Sequence, residues 1–432
     1  MAPLRIRNTH RPSCRFLPLL NAVIYNVNAI FHSISLVGRL MDDSDDDYDG
    51  FLDAADKLAE TVFWTIVEWR VTSPRQKICW SYPGRSPWFL ETVLQYWDDL
   101  EWIKNFRMTR QTLFEISETL RPFLMRKDTV MRLAVPVEER VAIGVYFLAS
   151  RSCYHTIALV FQKGTSTVAS IVVEVCLAIE HTMLRKEVRI SDFSKMTATT
   201  SKLGFPHCLE AIDGTHIANT APKLQGQAYY NRKSFHSVLL QAACDGDSVF
   251  FSMLAGHSRV NHDAHVFRSS KLFHRMEDGT LIPGNPIFTY AGVSIPPLIL
   301  GDGAYPLCKW LMKPYPVPRN DTEKHNNKVF NRTRNIVERA FCRLKARFRR
   351  LSVRMEARIE NVNSIIASAV VMHNICERKK HAIPEDDSTI SINDEQQLRE
   401  KNDDYNVRAH SERMEAEEVR TAVAEYLFTH VK

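Results

Sequence analysis

The chain has 432 residues, of which 45% are hydrophobic and 25% are charged, and it contains 15 glycines and 19 prolines. These values exclude a collagen-like or low-complexity chain, and the length allows two or three domains, each with its own core. The formal net charge of +6 does not by itself indicate nucleic-acid binding. Nine cysteines occur singly, without a C-x-x-C pair, which argues against a zinc ribbon or a secreted disulfide framework and favours a reducing compartment.

The first 50 residues are interpreted as an N-terminal extension followed by an acidic linker. Residues 16–40 are fairly apolar and follow several arginines, as in a signal peptide or a short anchor. Polar residues such as Asn26 interrupt them, and no run of the roughly 20 apolar residues that a membrane span requires is present. Beside targeting or anchoring, an amphipathic segment or an extension ahead of a start at Met41 stays open. Residues 42–47 are nearly all aspartate, which predicts a solvated linker.

Residues 51–195 have helical patterns and are predicted to form a helical region. Thr109 is expected to cap a helix whose apolar residues recur at helical spacing and which ends at Pro122. Pro136 is expected to open the next helix, because its fixed φ suits the first turn. We therefore expect an all-helical region before any sheet.

Residues 154–180 have the outline of a helix-turn-helix. A short apolar helix is followed by a turn that contains Gly164 and by a longer helix that Thr165 is expected to cap. An ordinary helical hairpin inside a core has the same pattern. The sequence leaves the two interpretations open.

Residues 196–380 are predicted to form an α/β domain with a mixed sheet flanked by helices. Short apolar runs bounded by Gly, Asp and Pro predict strands buried on both faces, at residues 208–212, 238–243, 249–254 and 298–300. Helical patterns alternate with them or follow them, at residues 264–273, 331–351 and 362–376. Residues 381–432 are predicted to form a polar linker and then an amphipathic helix over residues 415–430.

Two aspartates follow predicted strands directly. Asp213 ends one apolar run and precedes Gly214, and Asp302 ends another and precedes Gly303. A carboxylate at the carboxyl end of a buried strand lies where an α/β sheet presents ligand sites. Taken singly, such an aspartate is more commonly a turn residue.

Glu338 lies in a predicted basic helix. At about 100° per residue, the packing face consists of Phe341, Leu344, Phe348 and Leu351. Glu338 falls in a stripe beside that face together with Asn331, Arg334, Lys345 and Arg349. A further arc consists of Arg339, Arg343, Arg347 and Arg350. Such a row of cations predicts phosphate contacts, although a solvated face with surface ion pairs has the same pattern.

The three acidic residues together predict a phosphodiester-cleaving site. Two divalent ions about 3.5–4 Å apart can activate the attacking oxygen and stabilise the leaving oxygen. Mg²⁺ prefers hard carboxylate oxygens and water, so three converging carboxylates are sufficient ligands. We therefore predict that Asp213, Asp302 and Glu338 are catalytic and hold Mg²⁺ or Mn²⁺.

The chain resembles the PIF/Harbinger superfamily of DDE transposases and the nucleases derived from them. The match covers residues 209–374, with a looser fit of the helices upstream. Six short motifs carry it, in an order and spacing that are specific: A-I-D-G-T-H from Ala211, Y-Y-N-R-K-S-F-H-S from Tyr229, N-H-D-A from Asn261, L-G-D-G-A-Y-P-L from Leu300, R-N-I-V-E-R-A-F-C-R-L-K-A-R-F-R-R-L from Arg334 and V-M-H-N from Val371.

The resemblance implies an RNase H-like catalytic core and an acidic triad that falls on Asp213, Asp302 and Glu338. The 36-residue spacing from the second aspartate to the glutamate is in keeping with DDE enzymes. His216 and Asp263 match further motif positions, with orientation of the triad and a structural role equally open. The candidate DNA contacts are Arg232, Lys233, Arg334, Lys345 and Arg349. For Arg232 and Lys233, as for neighbouring Asn231, a loop-stabilising role is an equal alternative.

The resemblance also implies how the protein acts. It predicts DNA as the substrate, hydrolysis with strand transfer as a further step, a separate Myb/SANT-like partner, and a nuclear location with a cytoplasmic pool. Self-association stays open, and no membrane association is expected. The alternative is a domesticated DNA-binding or adaptor protein whose catalytic site is idle and which acts with the same kind of partner. Whether the chain belongs to a mobile element or to a host gene is also open.

Overall fold

The computed structural model describes residues 88–128, 133–190, 192–202, 204–221, 229–230, 235–257, 267–384 and 410–431. All of them belong to one compact unit, Ser81–Lys432. The predicted N-terminal extension and acidic linker lie outside the described residues, and so does most of the predicted linker after residue 384.

The first half of the described chain is helical, as predicted. A π-helical turn, Phe89–Val93, leads into the first α-helix. Among the described residues, seven α-helices precede the sheet: α1 (Leu94–Tyr96), α2 (Asp99–Phe106), α3 (Arg110–Leu124), α4 (Val137–Ala149), α5 (Tyr154–Val160), α6 (Thr165–Glu187) and α7 (Phe193–Lys202).

The predicted start and end of α3 and the predicted start of α4 can be compared with the structure. Thr109 caps α3 as predicted, since its hydroxyl accepts a hydrogen bond from the Thr112 amide. The predicted end at Pro122 is wrong, because α3 continues to Leu124. A proline removes the hydrogen bond of its own amide, but the residues after it keep theirs. The Met125 amide still donates a hydrogen bond to the Arg121 carbonyl at 3.0 Å. Pro136 directly precedes α4, as expected.

A five-stranded mixed sheet forms the centre of the second half. Its strands are β1 (Cys208–Ala218), β2 (Ser237–Cys244), β3 (Phe250–His257), β6 (Leu298–Leu300) and β7 (Leu311–Met312), and a separate hairpin consists of β4 (Phe288–Tyr290) and β5 (Val293–Ile295). The strand order is β3-β2-β1-β6-β7. The first three strands are antiparallel, whereas β6 and β7 run parallel to β1. All four predicted strands are present, and the mixed sheet is compatible with an RNase H-like fold.

Helices cover both faces of this sheet. They are α7, already described, with α8 (Lys271–Glu277), α9 (Asp321–Arg347) and α10 (Ile359–Arg378). On one face α9 and α10 contribute to the main hydrophobic cluster, and on the other α7 and α8 contribute to a second cluster. The first three residues of the predicted helix at 264–273 lie outside the described residues, and its last three residues belong to α8. The long helix α9 begins ten residues earlier than predicted, because Asn320 caps it by accepting a hydrogen bond from the Glu323 amide at 2.8 Å.

The C-terminal helix α11 (His410–His430) contains the predicted helix at 415–430. It packs against α9 and the β4–β5 hairpin. Its apolar side chains, such as Val423 and Leu427, are buried in the same hydrophobic cluster as the sheet. The last helix is therefore part of the core that surrounds α9.

The helix-turn-helix predicted at 154–180 is not confirmed. Helix α6 packs against α10, α4 and α3, and Ser368 of α10 donates a hydrogen bond to the Cys176 carbonyl of α6 at 3.0 Å. Thr165 is the first residue of α6 and not its N-cap. The N-cap is Gly164, which makes no side-chain hydrogen bond.

By length and composition α6 is the one helix among the described residues that could cross a membrane. Its packing is that of a core helix, and the cluster it joins continues into the sheet across the predicted boundary at residue 195.

Candidate active site

The two candidate aspartates lie on neighbouring parallel strands. Asp302 follows the short strand β6, whereas Asp213, which was predicted to follow its strand, lies inside β1, because β1 continues to Ala218. Ala211 of β1 is paired with Leu300 of β6, and Asp213 and Asp302 each lie two residues further along. Because parallel neighbours are about 4.8 Å apart and alternate residues share a face, this register places Asp302 beside Asp213, at the point where β6 ends. The turn after β6 is held by Asp302 itself, whose Oδ1 accepts a hydrogen bond from the Ala304 amide at 3.0 Å.

Helix α9 brings Glu338 to the same place through an arginine. Nη1 of Arg334 lies 3.1 Å from Oδ2 of Asp213. The other terminal nitrogen, Nη2, pairs with Oε1 of Glu338 on the same helix. The Arg334 side chain is 3% exposed, whereas Asp213 and Glu338 are 19% and 17% exposed. One buried guanidinium therefore joins two carboxylates from elements that are remote in the sequence.

A second cation of α9 contacts the same strand. Nζ of Lys345 donates a hydrogen bond to Oγ1 of Thr215 at 2.6 Å. Thr215 is two residues after Asp213 in β1, so both side chains lie on the face that α9 covers. The helix thus runs along β1 with Arg334, Glu338 and Lys345 directed towards this strand.

The three carboxylates are not arranged as a complete set of metal ligands. Among the residues that the structure describes, no three His, Cys, Asp or Glu side chains converge closely enough to hold an ion. Asp213 and Glu338 converge on Arg334, and the strand register places Asp302 beside Asp213. The donor set nevertheless suits a hard divalent cation, since it consists of carboxylate oxygens. The guanidinium held between two of these carboxylates also shows that positive charge is stabilised here.

Residues 212–374 match the protein family described as DDE superfamily endonuclease. The matched segment begins one residue before Asp213 and includes Asp302 and Glu338. This part of the chain is similar to DDE superfamily endonucleases, and we call it the DDE domain. The resemblance to Harbinger-type DDE transposases is thereby confirmed.

Three relatives of this DDE domain cover different shares of the chain. The Arabidopsis thaliana protein named Antagonist of like heterochromatin protein 1 is 26% identical over 307 residues, which are 65% of this chain and 77% of that protein. A second A. thaliana protein, named Protein ALP1-like, is 26% identical over 55% of this chain and 60% of its own length. The human protein named "Putative nuclease HARBI1" is 27% identical over 40% of this chain and 46% of its own length. No solved structure gives a significant match.

Three of the arginines in and just after the DDE domain's long helix are used inside the protein. The prediction that Arg334 contacts DNA is wrong, because its guanidinium is buried against Asp213 and Glu338. Arg347 is fully buried and donates hydrogen bonds to Glu377 and to backbone carbonyls. Arg350 lies in the 3-10 helix Arg349–Ser352 that follows α9, because α9 ends at Arg347 and not at the predicted residue 351. It is buried with its guanidinium over the Phe147 ring. A helical wheel shows which way a cation points, but it cannot show that a carboxylate or a carbonyl lies opposite.

The remaining candidate contacts have different outcomes. Lys345 and Arg349 are partly buried, and their contact with DNA stays a prediction. Asn231, Arg232, Lys233 and Asp263 lie outside the described residues. His216 is three residues after Asp213, so it points to the opposite face of β1, where its Nδ1 lies 3.0 Å from the Ser237 hydroxyl. This contact favours the structural role that was left open for His216.

The V-M-H-N motif of the DDE domain has a structural role that its sequence did not reveal. Nε2 of His373 lies 3.0 Å from the Ser248 carbonyl oxygen, and its ring is fully buried. Burial lowers the pKa of His373 to about 4, although the neighbouring Glu377 carboxylate opposes this shift. The next residue, Asn374, hydrogen-bonds the backbone of Phe250. A polar pair inside an apolar helix was the available signal, because buried polar groups need partners.

Proposed function

We propose that this protein is a metal-dependent DNA nuclease of the transposase type. Its Asp213, Asp302 and Glu338 would hold Mg²⁺ or Mn²⁺ and hydrolyse a DNA phosphodiester bond, with strand transfer to target DNA as a further step. The observation that supports this proposal most is the convergence of Asp213 and Glu338 on Arg334, beside the end of the neighbouring strand β6 that Asp302 follows. The DDE endonuclease domain and a relative named as a nuclease support it further.

Each part of the chain would have a defined task in this reaction. When bound, divalent ions supply activation of the attacking oxygen and charge stabilisation at the phosphate. The three carboxylates bind these ions and fix their position, because two of them extend from a rigid sheet and one from a 27-residue helix. Lys345, held at 2.6 Å from Thr215, adds positive charge beside the site, where it can orient a phosphate group.

A row of exposed residues on α9 is the surface on which we place the DNA backbone. Lys328, Asn331, Asn335 and Arg339 are all exposed. At about 100° per residue, they lie in one arc that begins beside Glu338. We call these four residues the α9 outer stripe. Two cations and two amides are suitable donors for phosphate oxygens, so this stripe takes over the role that the sequence had assigned to Arg334.

A catalytically idle adaptor is the second candidate function. The observation in its favour is Arg334, whose guanidinium is paired with two of the three proposed metal ligands. One relative also has a name that refers to antagonism of a heterochromatin protein rather than to a nuclease. Under either function we propose a Myb/SANT-like partner and a nuclear location with a cytoplasmic pool. Terminal inverted repeats beside the coding region would identify a mobile element.

Nicking of supercoiled plasmid separates the two candidates. The wild-type protein is compared with Asp302→Asn in Mg²⁺ and in Mn²⁺, with and without a Myb/SANT-like partner protein. A nuclease converts supercoiled to open-circular DNA only as wild type, because the amide is a poorer metal ligand than the carboxylate. Equal product from both proteins, or none from either with the partner present, would contradict the nuclease and favour the adaptor.

A further inference from the structure

Arg334 lies between two side chains of the proposed metal site. Its guanidinium is almost fully buried, and its two terminal nitrogens pair with carboxylates from β1 and from α9 itself. Both of these carboxylates belong to the proposed metal site. We propose that Arg334 is a built-in counter-cation, which holds the site together before metal binds and weakens metal binding by its own charge. This inference rests on the proposed function.

The need for a counter-cation follows from the charges. Asp213 and Glu338 are both mostly buried and both converge on one point. Two carboxylates that share a site repel each other, and burial increases the repulsion because little water is present to screen it. A positive group between them removes this repulsion in the absence of metal. The DDE domain can therefore fold in the absence of metal with the side chains of Asp213 and Glu338 already close together.

The choice of arginine also fits this role. The guanidinium presents its two terminal nitrogens in a rigid fork, and each of them reaches a different carboxylate here. A lysine carries the same charge on a single nitrogen, so it is less suited to hold two groups at a fixed separation. Arg334 also lies one turn before Glu338 on α9, so the helix sets the position of both side chains.

The positive charge of Arg334, which stabilises the metal-free site, opposes the binding of a metal ion. A divalent cation bound by Asp213 and Glu338 lies close to the guanidinium, and like charges at short range in a poorly solvated site are unfavourable. Arg334 should therefore lower the affinity for metal while it raises the stability of the metal-free protein. A residue with only a structural role would not produce these two opposite effects.

Three variants of the full chain test the inference. Arg334→Gln removes the charge, Arg334→Lys keeps it, and Arg343→Gln removes a partly exposed arginine of the same helix that pairs with Glu377. Thermal unfolding in EDTA measures metal-free stability, and calorimetric titration with Mn²⁺ measures affinity. For Arg334→Gln we expect a lower Tm in EDTA and roughly tenfold tighter Mn²⁺ binding. Arg334→Lys and Arg343→Gln should bind Mn²⁺ like the wild type.

The outcomes separate this inference from the proposed function. If the wild type binds Mn²⁺ and Arg334→Gln binds it equally or more weakly, the counter-cation role is overturned and the proposed function stands. If the wild type binds no Mn²⁺, both are overturned. If Arg334→Gln folds only when Mn²⁺ is added, the inference is supported. If Arg334→Gln folds neither with nor without Mn²⁺, the charge-conserving variant Arg334→Lys decides. An Mn²⁺ affinity of Arg334→Lys within about twofold of wild type supports the inference, and a larger change overturns it.

Discussion

The side-chain amide of Asn374 encloses the backbone of Phe250. Its Oδ1 accepts a hydrogen bond from the Phe250 amide at 2.9 Å, and its Nδ2 donates one to the Phe250 carbonyl at 2.7 Å. The same Nδ2 donates to the Glu187 carbonyl at 3.0 Å. One buried side chain therefore joins α10 to the first residue of the edge strand β3 and to the last residue of α6.

Replacement of Asn374 by alanine should destabilise the fold strongly. The substitution leaves an amide and two carbonyl groups of the backbone without their partner in a largely buried region, and each such group costs about 1–3 kcal/mol. We expect a loss of roughly 3 kcal/mol in the free energy of unfolding, measured by urea denaturation. Asn335→Ala, at an exposed position of α9, is the control and should change stability by less than about 0.5 kcal/mol. Equal effects of the two substitutions would contradict this role.

His373 should make the protein less stable in acid. Burial lowers its pKa to about 4 from the ordinary 6.5. Between these values the unfolded chain binds a proton that the folded protein does not, so stability falls as the pH falls. At pH 5 the loss from this one group should reach roughly 2 kcal/mol relative to pH 7.

His373→Gln serves as the comparison for the pH dependence. Glutamine does not titrate, so the variant should lose less stability between pH 7 and pH 5 than the wild type, even if it is less stable at both. The free energies of unfolding come from urea titrations at the two pH values. An equal loss in the free energy of unfolding between pH 7 and pH 5 in the two proteins would show that His373 does not contribute to acid sensitivity.

The α9 outer stripe should determine the salt dependence of DNA binding. In an Asp302→Asn background, which prevents cleavage, the double substitution Lys328→Ala and Arg339→Ala removes two proposed phosphate contacts. Binding should weaken similarly for DNA of any sequence, and the slope of log K against log salt should fall by about 2. Fluorescence anisotropy at several salt concentrations measures both quantities.

A matched control uses two exposed cations of another helix. Arg185 and Lys186 lie at the end of α6 and are exposed. Their replacement by alanine changes the net charge by the same amount, so general electrostatic attraction is reduced equally. If both double variants lower the salt slope to the same extent, the outer stripe has no specific role in DNA contact.

The sequence predicted four of the five strands of the sheet because each of them contains a short apolar run. It missed β7, which has two residues, and the second half of β1, where polar residues such as Asp213 and His216 interrupt the apolar pattern. Runs such as residues 298–300 have no polar residue on either side, and this pattern is typical of the centre of a mixed sheet. The order and direction of strands could not be read from these runs. They depend on which chain segments pair, and the partners Ala211 and Leu300 of the parallel pair β1–β6 are 89 residues apart in the sequence.

The basic helix shows where sequence reasoning reaches its limit. The wheel correctly placed Arg334 in the stripe of Glu338, and it placed Phe341 and Leu344 on the packing face, where both are buried. It assigned the wrong partner to Arg334, because Asp213 is 121 residues away in the sequence. The convergence of two acidic residues on one arginine is a property of the folded chain alone.

Binding of Mn²⁺ to four proteins tests the central claim directly. The wild type is titrated beside Asp213→Asn, Asp302→Asn and Glu338→Gln, and the bound ion is followed by the loss of the electron paramagnetic resonance signal of free Mn²⁺. If the three carboxylates share a metal site, the wild type binds Mn²⁺ and each substitution weakens binding by at least about tenfold. Wild-type affinity in any one of the three variants, with its fold intact, would remove that residue from the site and contradict the account.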